Sequence, residues 1–365
     1  MNISILGFGT VGRGVYEMIQ AAPGMEARKV LVLPQECTES FMVTSIDEIT
    51  SDAGTDTVVE CMGGIHPAYE FASASLKAGK SFVTSNKALV ANFGIELQAL
   101  AEEKGVSFLF SAACGGGIPV LHNISVASQT DSILKCGGIL NGTTNFILTK
   151  MQGEGKSYQD ALFEAQKLGY AEKDPSADVS GLDTLRKVML LSSVSFSVLP
   201  AEGLCREGIE NFTSSVADYL SDEGRTLRLM GECGKGEKGI YAYVEPVAVK
   251  KTDVEASISS NINYAWYLGE NSGLIGLSGQ GAGRYPTASA VLRDLSAIME
   301  GKKSMLGKDC VRGVADNSGK ECRHTYLLCC DGRFEKTPEL SVSDMHEMVR
   351  SMREKGSRVF FAQYR

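Results

Sequence analysis

The chain has 365 residues, of which 43% are hydrophobic and 22% are charged, and its formal net charge at pH 7 is −8. This length is too great for one small hydrophobic core and predicts two domains. The negative charge, without a dense run of lysine and arginine, excludes a nucleic-acid-binding surface. No stretch approaches the roughly 20 apolar residues that a membrane span needs, so we expect no membrane partner.

The start of the chain and its cysteines indicate a compartment. The opening MNISILGFG lacks the basic segment of a signal peptide, and its apolar run is short. The ten cysteines are scattered, and none belongs to a C-x-x-C pair. Such thiols are typical of the reducing cytosol. We therefore expect a cytoplasmic protein.

A glycine pattern separates the first predicted strand, residues 2–6, from the first predicted helix, which runs to about residue 20. The sequence GFGTVG at residues 7–12 matches G-x-G-x-x-G, the dinucleotide-binding fingerprint, in its required place between a strand and a helix. Its first glycine allows the turn, its second lets the backbone approach a pyrophosphate, and its third packs the helix on the strand. A glycine-rich turn without a ligand is the alternative interpretation.

The end of the second predicted strand, residues 29–33, bears on the choice of coenzyme. An acidic residue at this place favours NAD, whereas a basic residue favours NADP. Glu36 is the nearest acid. It is placed to hold a ribose hydroxyl and is equally well interpreted as a solvated loop residue, so the preference between NAD and NADP stays open.

Strands and helices continue to alternate up to residue 111, which predicts a parallel sheet. Ser85 and Lys87 follow one of these strands at the carboxyl edge of the sheet, where ligands bind in open α/β folds. Lys87 is therefore a candidate for contact with a cofactor or a carboxylate, and a solvated loop lysine is the alternative. The predicted strands cover residues 57–61, 81–84 and 106–111, and the predicted helices cover residues 67–78 and 88–104.

Two further motifs come before residue 150. Three consecutive glycines at 115–117 mark a second place where backbone must come close to another group. A predicted strand over residues 133–140 is followed by NGTTN at 141–145 and a helix to residue 151. The hydroxyls and amides of NGTTN are candidates for binding a polar substrate, and capping of the helix is the alternative interpretation.

An acidic loop lies between two predicted helices. The first helix opens with a capping box at Ser157 and ends at Gly169. The loop carries Glu172 and Asp178, and its Asp-Pro pair at 174–175 breaks the helix. Several carboxylates are therefore concentrated in a short segment.

The second helix, which starts near Gly181, places Asp183 and Lys187 one turn apart on one face. The apolar residues that follow predict a helix that is buried nearly all round. Partial burial lets the pKa of a lysine fall towards the range in which it exchanges protons. From these residues alone, an active site and a salt bridge are equally good interpretations.

The region after residue 200 is rich in predicted strands. Two strands are predicted over residues 227–249 and a hairpin over residues 262–278. A glycine-rich loop then precedes Pro286, which is well placed in the first turn of a helix that ends near residue 299. A small βαβ segment follows, with strand 325–330, helix 342–355 and strand 359–364.

Together these patterns predict an α/β fold with three parts. The first is a Rossmann-like nucleotide-binding domain over residues 1–125, which a returning helix at 286–300 joins. The second is an α+β substrate and dimerisation domain over residues 126–285. The third is a small C-terminal βαβ appendage over residues 303–365, whose role the sequence does not indicate.

Six motifs together resemble homoserine dehydrogenase over roughly residues 1–301. The longest of them matches the family signature almost throughout. The resemblance implies reversible reduction of L-aspartate 4-semialdehyde to L-homoserine with NADPH or NADH, a step towards threonine and methionine. The motifs are GFGTVG, SNKALVA at 85–91, GGGIPV at 115–120, NGTTN, AQKLGYAEKDPSADVSGLDTLRK at 165–187 and GAGRYPTASAVLRDL at 281–295.

The resemblance also implies roles for individual residues. Lys187 would donate a proton to the aldehyde oxygen, and Asp183 beside it would order the site. Glu172 would bind the substrate ammonium with help from Asp178. The other substrate contacts would be Lys87, Gly142 and Thr143. The cofactor contacts would be Gly7, Phe8, Gly9, Thr10, Val11, Gly12, Ser85, Lys87 and Gly281.

One position departs from the family pattern. The family commonly has a glutamate before its glycine loop, where it holds a monovalent cation such as Na⁺ together with backbone carbonyls. This chain has Ser111 at that position. The carbonyls of Cys114, Gly116 and Ile118 remain as candidate ligands of the cation.

Two other functions stay open from the sequence. Another NAD(P) oxidoreductase of an amino-acid pathway would not need the acidic loop together with Lys187. A catalytically silent, nucleotide-binding regulatory paralogue is favoured by Ser111 alone. As partners we expect a small amino-acid substrate, no nucleic acid, and a second copy of the chain in a homodimer or a higher homo-oligomer.

Overall fold

The computed structural model describes residues 1–200, 203–237, 239–307, 309–313 and 322–365. The chain divides into two compact units. Unit one contains Met1–Val126 and Gln280–Val311, and unit two contains Ala127–Gly279 and Arg312–Arg365. Within the described ranges, no helix has both the length and the apolar character to cross a membrane.

A six-stranded sheet forms the centre of unit one. Its strand order is β3-β2-β1-β4-β5-β6, and every neighbouring pair is parallel. This is the strand order of a doubly wound, dinucleotide-binding sheet, so the predicted Rossmann-like fold is confirmed. The strands are β1 (Asn2–Leu6), β2 (Glu26–Leu31), β3 (Met42–Val43), β4 (Thr57–Glu60), β5 (Ser81–Thr84) and β6 (Phe108–Leu109).

The helices α1 to α5 lie along the chain among these strands, and one more helix of this unit, α12, comes from a much later part of the chain. The returning helix, α12 (Arg284–Met299), packs against α1. The two helices approach closely at Gly14, where a Cβ atom would lie 2.9 Å from the Cγ of Arg284. The other helices of this part are α1 (Thr10–Ile19), α2 (Asp47–Thr50), α3 (Ala68–Lys77), α4 (Lys87–Lys104) and α5 (Val120–Ala127).

A nine-stranded mixed sheet forms the centre of unit two. Its main order is β13-β12-β7-β10-β11-β19-β16-β17, with β9 paired to β11. The strands after residue 127 are β7 (Ile133–Ile139), β8 (Val198–Pro200), β9 (Cys205–Arg206), β10 (Arg225–Gly236), β11 (Gly239–Lys250), β12 (Ile262–Gly269), β13 (Gly273–Gln280), β14 (Val311–Gly313), β15 (Arg323–His324), β16 (Tyr326–Cys330), β17 (Arg333–Lys336), β18 (Leu340–Ser341) and β19 (Val359–Tyr364).

The helices of unit two cover this sheet. α9 packs against β10, where Gly231 has no side chain: a Cβ atom there would lie 2.3 Å from Val188 Cγ2. Eleven of the fifteen residues of α9 are buried, in agreement with the predicted buried helix. The helices are α6 (Gly142–Glu154), α7 (Tyr158–Lys167), α8 (Ser176–Val179), α9 (Leu182–Phe196), α10 (Ser214–Asp222), α11 (Val254–Ser257) and α13 (Val342–Glu354).

The C-terminal segment is part of the second sheet. β19 pairs in parallel with β11, and β16 pairs with β19 in the antiparallel direction. The predicted strand, helix and strand are present, and β17 and β18 are additional strands between the first strand and the helix. A hydrophobic cluster joins α13 to these strands through Tyr326, Leu328, Met345, Val349, Val359 and Phe361.

Several element boundaries differ from the prediction by a few residues, and three differences have a clear local reason. β2 ends at Leu31, before the predicted end at residue 33, because the chain enters a short 3₁₀ helix at Pro34–Glu36. β6 is shorter than predicted because Ser111–Ala113 forms another 3₁₀ helix. The predicted acidic loop contains the single-turn helix α8, which begins after Pro175.

Candidate active site

Lys187 and Asp183 form a buried ion pair on α9. Lys187 Nζ lies 2.7 Å from Asp183 Oδ2, and the two side chains are only 10% and 8% exposed. Lys187 Nζ also donates a hydrogen bond to the carbonyl oxygen of Leu140 at 2.6 Å. Since Leu140 directly follows β7, the end of that strand holds the lysine ammonium in place.

Asn141 links the two carboxylates of the site. Its Nδ2 donates to Asp178 Oδ1 at 2.7 Å and to Asp183 Oδ2 at 2.9 Å. Its Oδ1 accepts from the backbone N–H of Thr144 at 2.8 Å, which caps α6 and orients the amide. The sequence interpretation did not assign Asn141 to the site, although its position at the start of NGTTN marks the cap.

The start of α6 carries two further predicted substrate residues, Gly142 and Thr143. Thr143 Oγ1 donates to the carbonyl oxygen of Tyr170 at 2.5 Å. Gly142 is the first residue of the helix, and a Cβ atom there would lie 2.8 Å from the carbonyl oxygen of Asn261. Glycine therefore lets the backbone segment at Asn261 approach the helix terminus.

Glu172 lies apart from the buried cluster. Its side chain is exposed on the loop between α7 and α8, where its backbone carbonyl accepts from Gln166 Nε2 at 3.1 Å. The structure thus brings Asn141, Asp178 and Lys187 together through Asp183 and leaves Glu172 at the surface of the same loop.

The buried cluster has an uneven charge. It contains two carboxylates, Asp178 and Asp183, and the ammonium of Lys187, which pairs with Asp183, and the amide of Asn141 donates to both carboxylates. An excess of negative charge at a site attracts a positively charged group such as an amino-acid ammonium. The ammonium of Lys187 is itself a proton donor held in a fixed place, which suits acid catalysis.

In unit one, the loop between β1 and α1 has the geometry that its glycines predict. Gly7 has a left-handed φ of +91°. A Cβ atom on Gly12 would lie 2.0 Å from the carbonyl oxygen of Gly7, whereas nothing lies within 4 Å of the Cβ position at Gly9. The loop leaves room at Gly9 for a pyrophosphate at the N-terminus of α1, so these residues fit a dinucleotide. Thr10 is exposed and Val11 is half-buried on the first turn of α1.

The carboxyl edge of the same sheet carries the other predicted cofactor residues. Lys87 is half-buried at the start of α4, and Ser85 Oγ donates to the carbonyl oxygen of Glu60 at 3.4 Å. The Glu60 side chain is fully buried and accepts from the N–H groups of Met62 and Gly63 at 2.7 and 3.0 Å. Glu60 shapes this edge, and the sequence interpretation did not single it out.

A cleft of about 400 Å³ opens beside the loop of residues 7–12. Phe8, Arg13 and Glu36 line it, together with Tyr16 and Phe41. The Glu36 carboxylate accepts from the backbone N–H of Leu33 at 3.3 Å. An acid and an arginine thus lie in one cleft, so the geometry leaves the choice between NAD and NADP open.

Comparison with known proteins follows the same division of the chain. A family model described as "Homoserine dehydrogenase, NAD binding domain" matches residues 7–111, and a second, "Homoserine dehydrogenase", matches residues 119–296. The homoserine dehydrogenase of Lactococcus lactis subsp. lactis is 36% identical over 321 residues, which are 83% of this chain and 75% of that protein. This chain belongs to the homoserine dehydrogenase family.

Solved homoserine dehydrogenases have the same fold. The crystal structure of the Thiobacillus denitrificans enzyme matches all of this chain and 98% of its own with a TM-score of 0.91, at 26% identity. A hyperthermophilic archaeal homoserine dehydrogenase in complex with NADPH matches 82% of this chain and 98% of its own with a TM-score of 0.71, at 28% identity. As a homoserine dehydrogenase family member, the chain is an NAD(P)-dependent oxidoreductase that acts on a small molecule.

The loop of three glycines at residues 115–117 lies against the backbone before α12. A Cβ atom on Gly116 would lie 2.5 Å from the carbonyl carbon of Gly281, and Gly117 N–H donates to the carbonyl oxygen of Gln280 at 3.0 Å. The predicted cofactor residue Gly281 therefore packs directly on the loop. The same loop carries the backbone carbonyls predicted to hold the cation, those of Cys114, Gly116 and Ile118.

The family's monovalent cation does not fit the side chains around this loop. Ser111 Oγ donates to Met305 Sδ at 3.3 Å, and the backbone N–H of Ser111 donates to Asp294 Oδ2 at 2.7 Å. Arg293 Nη2 donates to the carbonyl oxygen of Gly117 at 3.4 Å. A guanidinium at the loop opposes the binding of a second positive charge. We therefore assign no step of the reaction to a metal ion.

Proposed function

We propose that this chain catalyses the reversible NAD(P)H-dependent reduction of L-aspartate 4-semialdehyde to L-homoserine, with Lys187 as proton donor and acceptor. Family membership supports the reaction. The observation that carries the assignment of Lys187 is its ammonium, held 2.7 Å from Asp183 Oδ2 and 2.6 Å from the Leu140 carbonyl oxygen in a buried setting. Reduction of a carbonyl needs a hydride at carbon and a proton at oxygen, and Lys187 supplies the proton.

Asp183 and Asn141 position the lysine. The Asp183 carboxylate lies 2.7 Å from Lys187 Nζ and holds it in place. Asn141 in turn fixes Asp183 and Asp178 relative to each other. In the oxidation direction, Lys187 accepts the proton that the hydroxyl of homoserine releases.

The acidic loop recognises the substrate's ammonium group. Glu172 binds it directly with its exposed carboxylate, and Asp178 assists from the buried cluster. Gly142 and Thr143 contact the polar end of the substrate at the start of α6, where backbone N–H groups favour an anionic carboxylate. Lys87 supplies a further positive charge for that carboxylate.

The cofactor-binding residues belong to unit one. When bound, the nicotinamide supplies the hydride in the reduction. The loop at residues 7–12 holds the pyrophosphate, and Ser85, Lys87 and Gly281 contact the rest of the cofactor. We thus propose that residues 1–125 and 286–300 are the nucleotide-binding part and that residues 126–285 are the substrate-binding part.

We also propose that the protein is a cytoplasmic homodimer or higher homo-oligomer that assembles through unit two. β13 lies at the edge of the nine-stranded sheet, and its Leu274 is 62% exposed. An exposed edge strand with an apolar side chain is a natural site for pairing with a second copy. Light scattering of the wild type and of Leu274→Lys tests this, because the lysine should shift the protein towards the monomer.

The reaction is tested by the initial rate of L-homoserine oxidation, followed at the nicotinamide absorbance with NAD and with NADP. Turnover with either coenzyme is the expected result, and the ratio of the two rates gives the coenzyme preference. Coenzyme binding without turnover of L-homoserine would overturn the proposed reaction.

A further inference from the structure

The guanidinium of Arg293 lies against the loop of three glycines at residues 115–117 in unit one. Arg293 Nη2 donates to the carbonyl oxygen of Gly117, which is flanked by the carbonyls of Gly116 and Ile118. Its second terminal nitrogen, Nη1, is buried and has no hydrogen-bond partner among the described residues. A buried N–H group without a partner is rare, and here it belongs to a charged side chain beside a loop with several backbone carbonyls.

The surroundings of Arg293 are already positively charged. Lys302 donates to Ser125 Oγ nearby, and its pKa is lowered chiefly by burial. The pKa of His122 is lowered by burial first and then by the positive charges of Lys302 and Arg293. Asp294 is fully buried beside this group and accepts from the Ser111 N–H, and the charge of Glu300 acts to raise the pKa of His122. Residue 111, where the family commonly has a glutamate, is a serine in this chain. It therefore supplies no second carboxylate to balance an additional cation.

We propose that Arg293 replaces the monovalent cation of the family, so that this protein neither needs nor binds Na⁺ or K⁺ at the loop of residues 115–117. A guanidinium is a permanent positive charge with five N–H donors, and here it donates to the carbonyl oxygen of Gly117, which lies between the predicted ligands Gly116 and Ile118. Because it is covalently attached, it fills this role at any salt concentration. The proposal rests on the family of the chain and is independent of the role proposed for Lys187.

The first test compares the melting temperature of the full-length wild type in NaCl, KCl and choline chloride at equal ionic strength. A cation that binds only the native state raises Tm by mass action. We expect equal Tm values in the three salts, because Arg293 leaves no site for the inorganic cation. A rise of Tm in NaCl or KCl that choline chloride does not produce would overturn the proposal. Since melting requires no turnover, this result is separate from the fate of the proposed reaction.

The second test removes the guanidinium. In Arg293→Ala the loop loses its positive charge and the Gly117 carbonyl loses its partner, so we expect a lower Tm that Na⁺, K⁺ or dilute guanidinium partly restores and that choline does not. Arg350→Ala, which removes an exposed arginine from α13, is the matched control and should show no response to any of these ions. If Tm of Arg293→Ala is the same in all four salts, Arg293 does not stand in for a cation.

A third variant covers the case in which Arg293→Ala fails to fold. Arg293→Lys keeps a positive charge at the same place, so it should fold and remain insensitive to Na⁺ and K⁺. A Tm of Arg293→Lys that rises in NaCl but not in choline chloride would show that the loop binds the inorganic cation beside a fixed charge, and this would overturn the proposal.

Discussion

Lys187 Nζ lies 2.7 Å from Asp183 Oδ2 in a pair of side chains that are no more than 10% exposed. Two charges buried in this way are stable only with good geometry and further hydrogen bonds. The Leu140 carbonyl supplies one such bond to the ammonium, and Asn141 supplies one to the carboxylate. The pair is thus a fixed unit, which suits the proton transfer that we propose for its ammonium.

Asn141→Ala removes the amide that joins Asp178 to Asp183. We expect kcat to fall by about 10²-fold, because a small misplacement of a catalytic group has an effect of this size, while coenzyme affinity is unchanged. Asn145→Ala is the matched control, since this buried amide of the same motif contacts the carbonyls of Ile258 and Ile262 and not the acids. Steady-state kinetics of both variants measure the effect, and an equal loss of kcat in the control would show that Asn141 is only structural.

Glu172→Gln tests the proposed contact with the substrate ammonium. Loss of a hydrogen bond to a charged group changes affinity by about 10- to 100-fold, so KM for L-homoserine should rise by that factor. The KM for the coenzyme should stay the same. Asp174→Asn makes the same charge change two residues away on the same loop. A similar rise of KM in that variant would assign the effect to the overall charge of the loop and not to Glu172.

Phe361→Ala tests whether the C-terminal segment is part of unit two. Phe361 is fully buried in the cluster between β16, β19 and α13. Its truncation should lower the free energy of unfolding by about 3–5 kcal/mol, because the cavity adds to the lost burial. Denaturant unfolding followed by Trp266 fluorescence checks this, since Trp266 lies on β12 of the same sheet. An unchanged Trp266 transition would mean that the C-terminal segment unfolds separately.

The local features of the fold could be predicted from the sequence. Ser157 caps the helix it was predicted to open, and its hydroxyl accepts from the N–H of Asp160 at 3.1 Å. Ser341 caps α13 in the same way, since its hydroxyl accepts from the N–H of Asp344 at 3.1 Å. The loop of residues 7–12 and the pairing of Asp183 with Lys187 also follow from spacing along the chain. Each of these depends on residues no more than a few positions apart.

Features that depend on distant residues could not be predicted. Asn141 reaches Asp178 and Asp183 only because the end of β7 and the start of α9 come together in unit two. β19 joins β11 at Val247 and Ala248, a register that no local pattern specifies. The contact of Arg293 with the glycine loop joins residues 176 positions apart.

Asp294 predicts a pH dependence of stability. Burial raises the pKa of its carboxyl from 3.8 to about 7. A folded-state pKa above the unfolded value stabilises the protein at low pH, and this contribution is lost as pH rises from about 4 to about 7. The loss amounts to about 4 kcal/mol, at about 1.4 kcal/mol for each factor of ten in the proton affinity.

Urea unfolding of the wild type and of Asp294→Asn at several pH values between 5 and 8 measures this contribution. Asp294→Asn has no proton to lose, so its free energy of unfolding should fall less over this range than that of the wild type. Parallel curves for the two proteins would show that Asp294 does not titrate in the folded state.

The most direct measurement is the turnover of Lys187→Ala in L-homoserine oxidation, made together with its dissociation constant for the coenzyme. Loss of a general acid lowers kcat by about 10²–10⁴-fold. We predict a fall in that range with coenzyme affinity equal to that of the wild type, because the lysine belongs to the substrate part of the site. A kcat equal to that of the wild type would contradict the assignment of Lys187 as the proton donor.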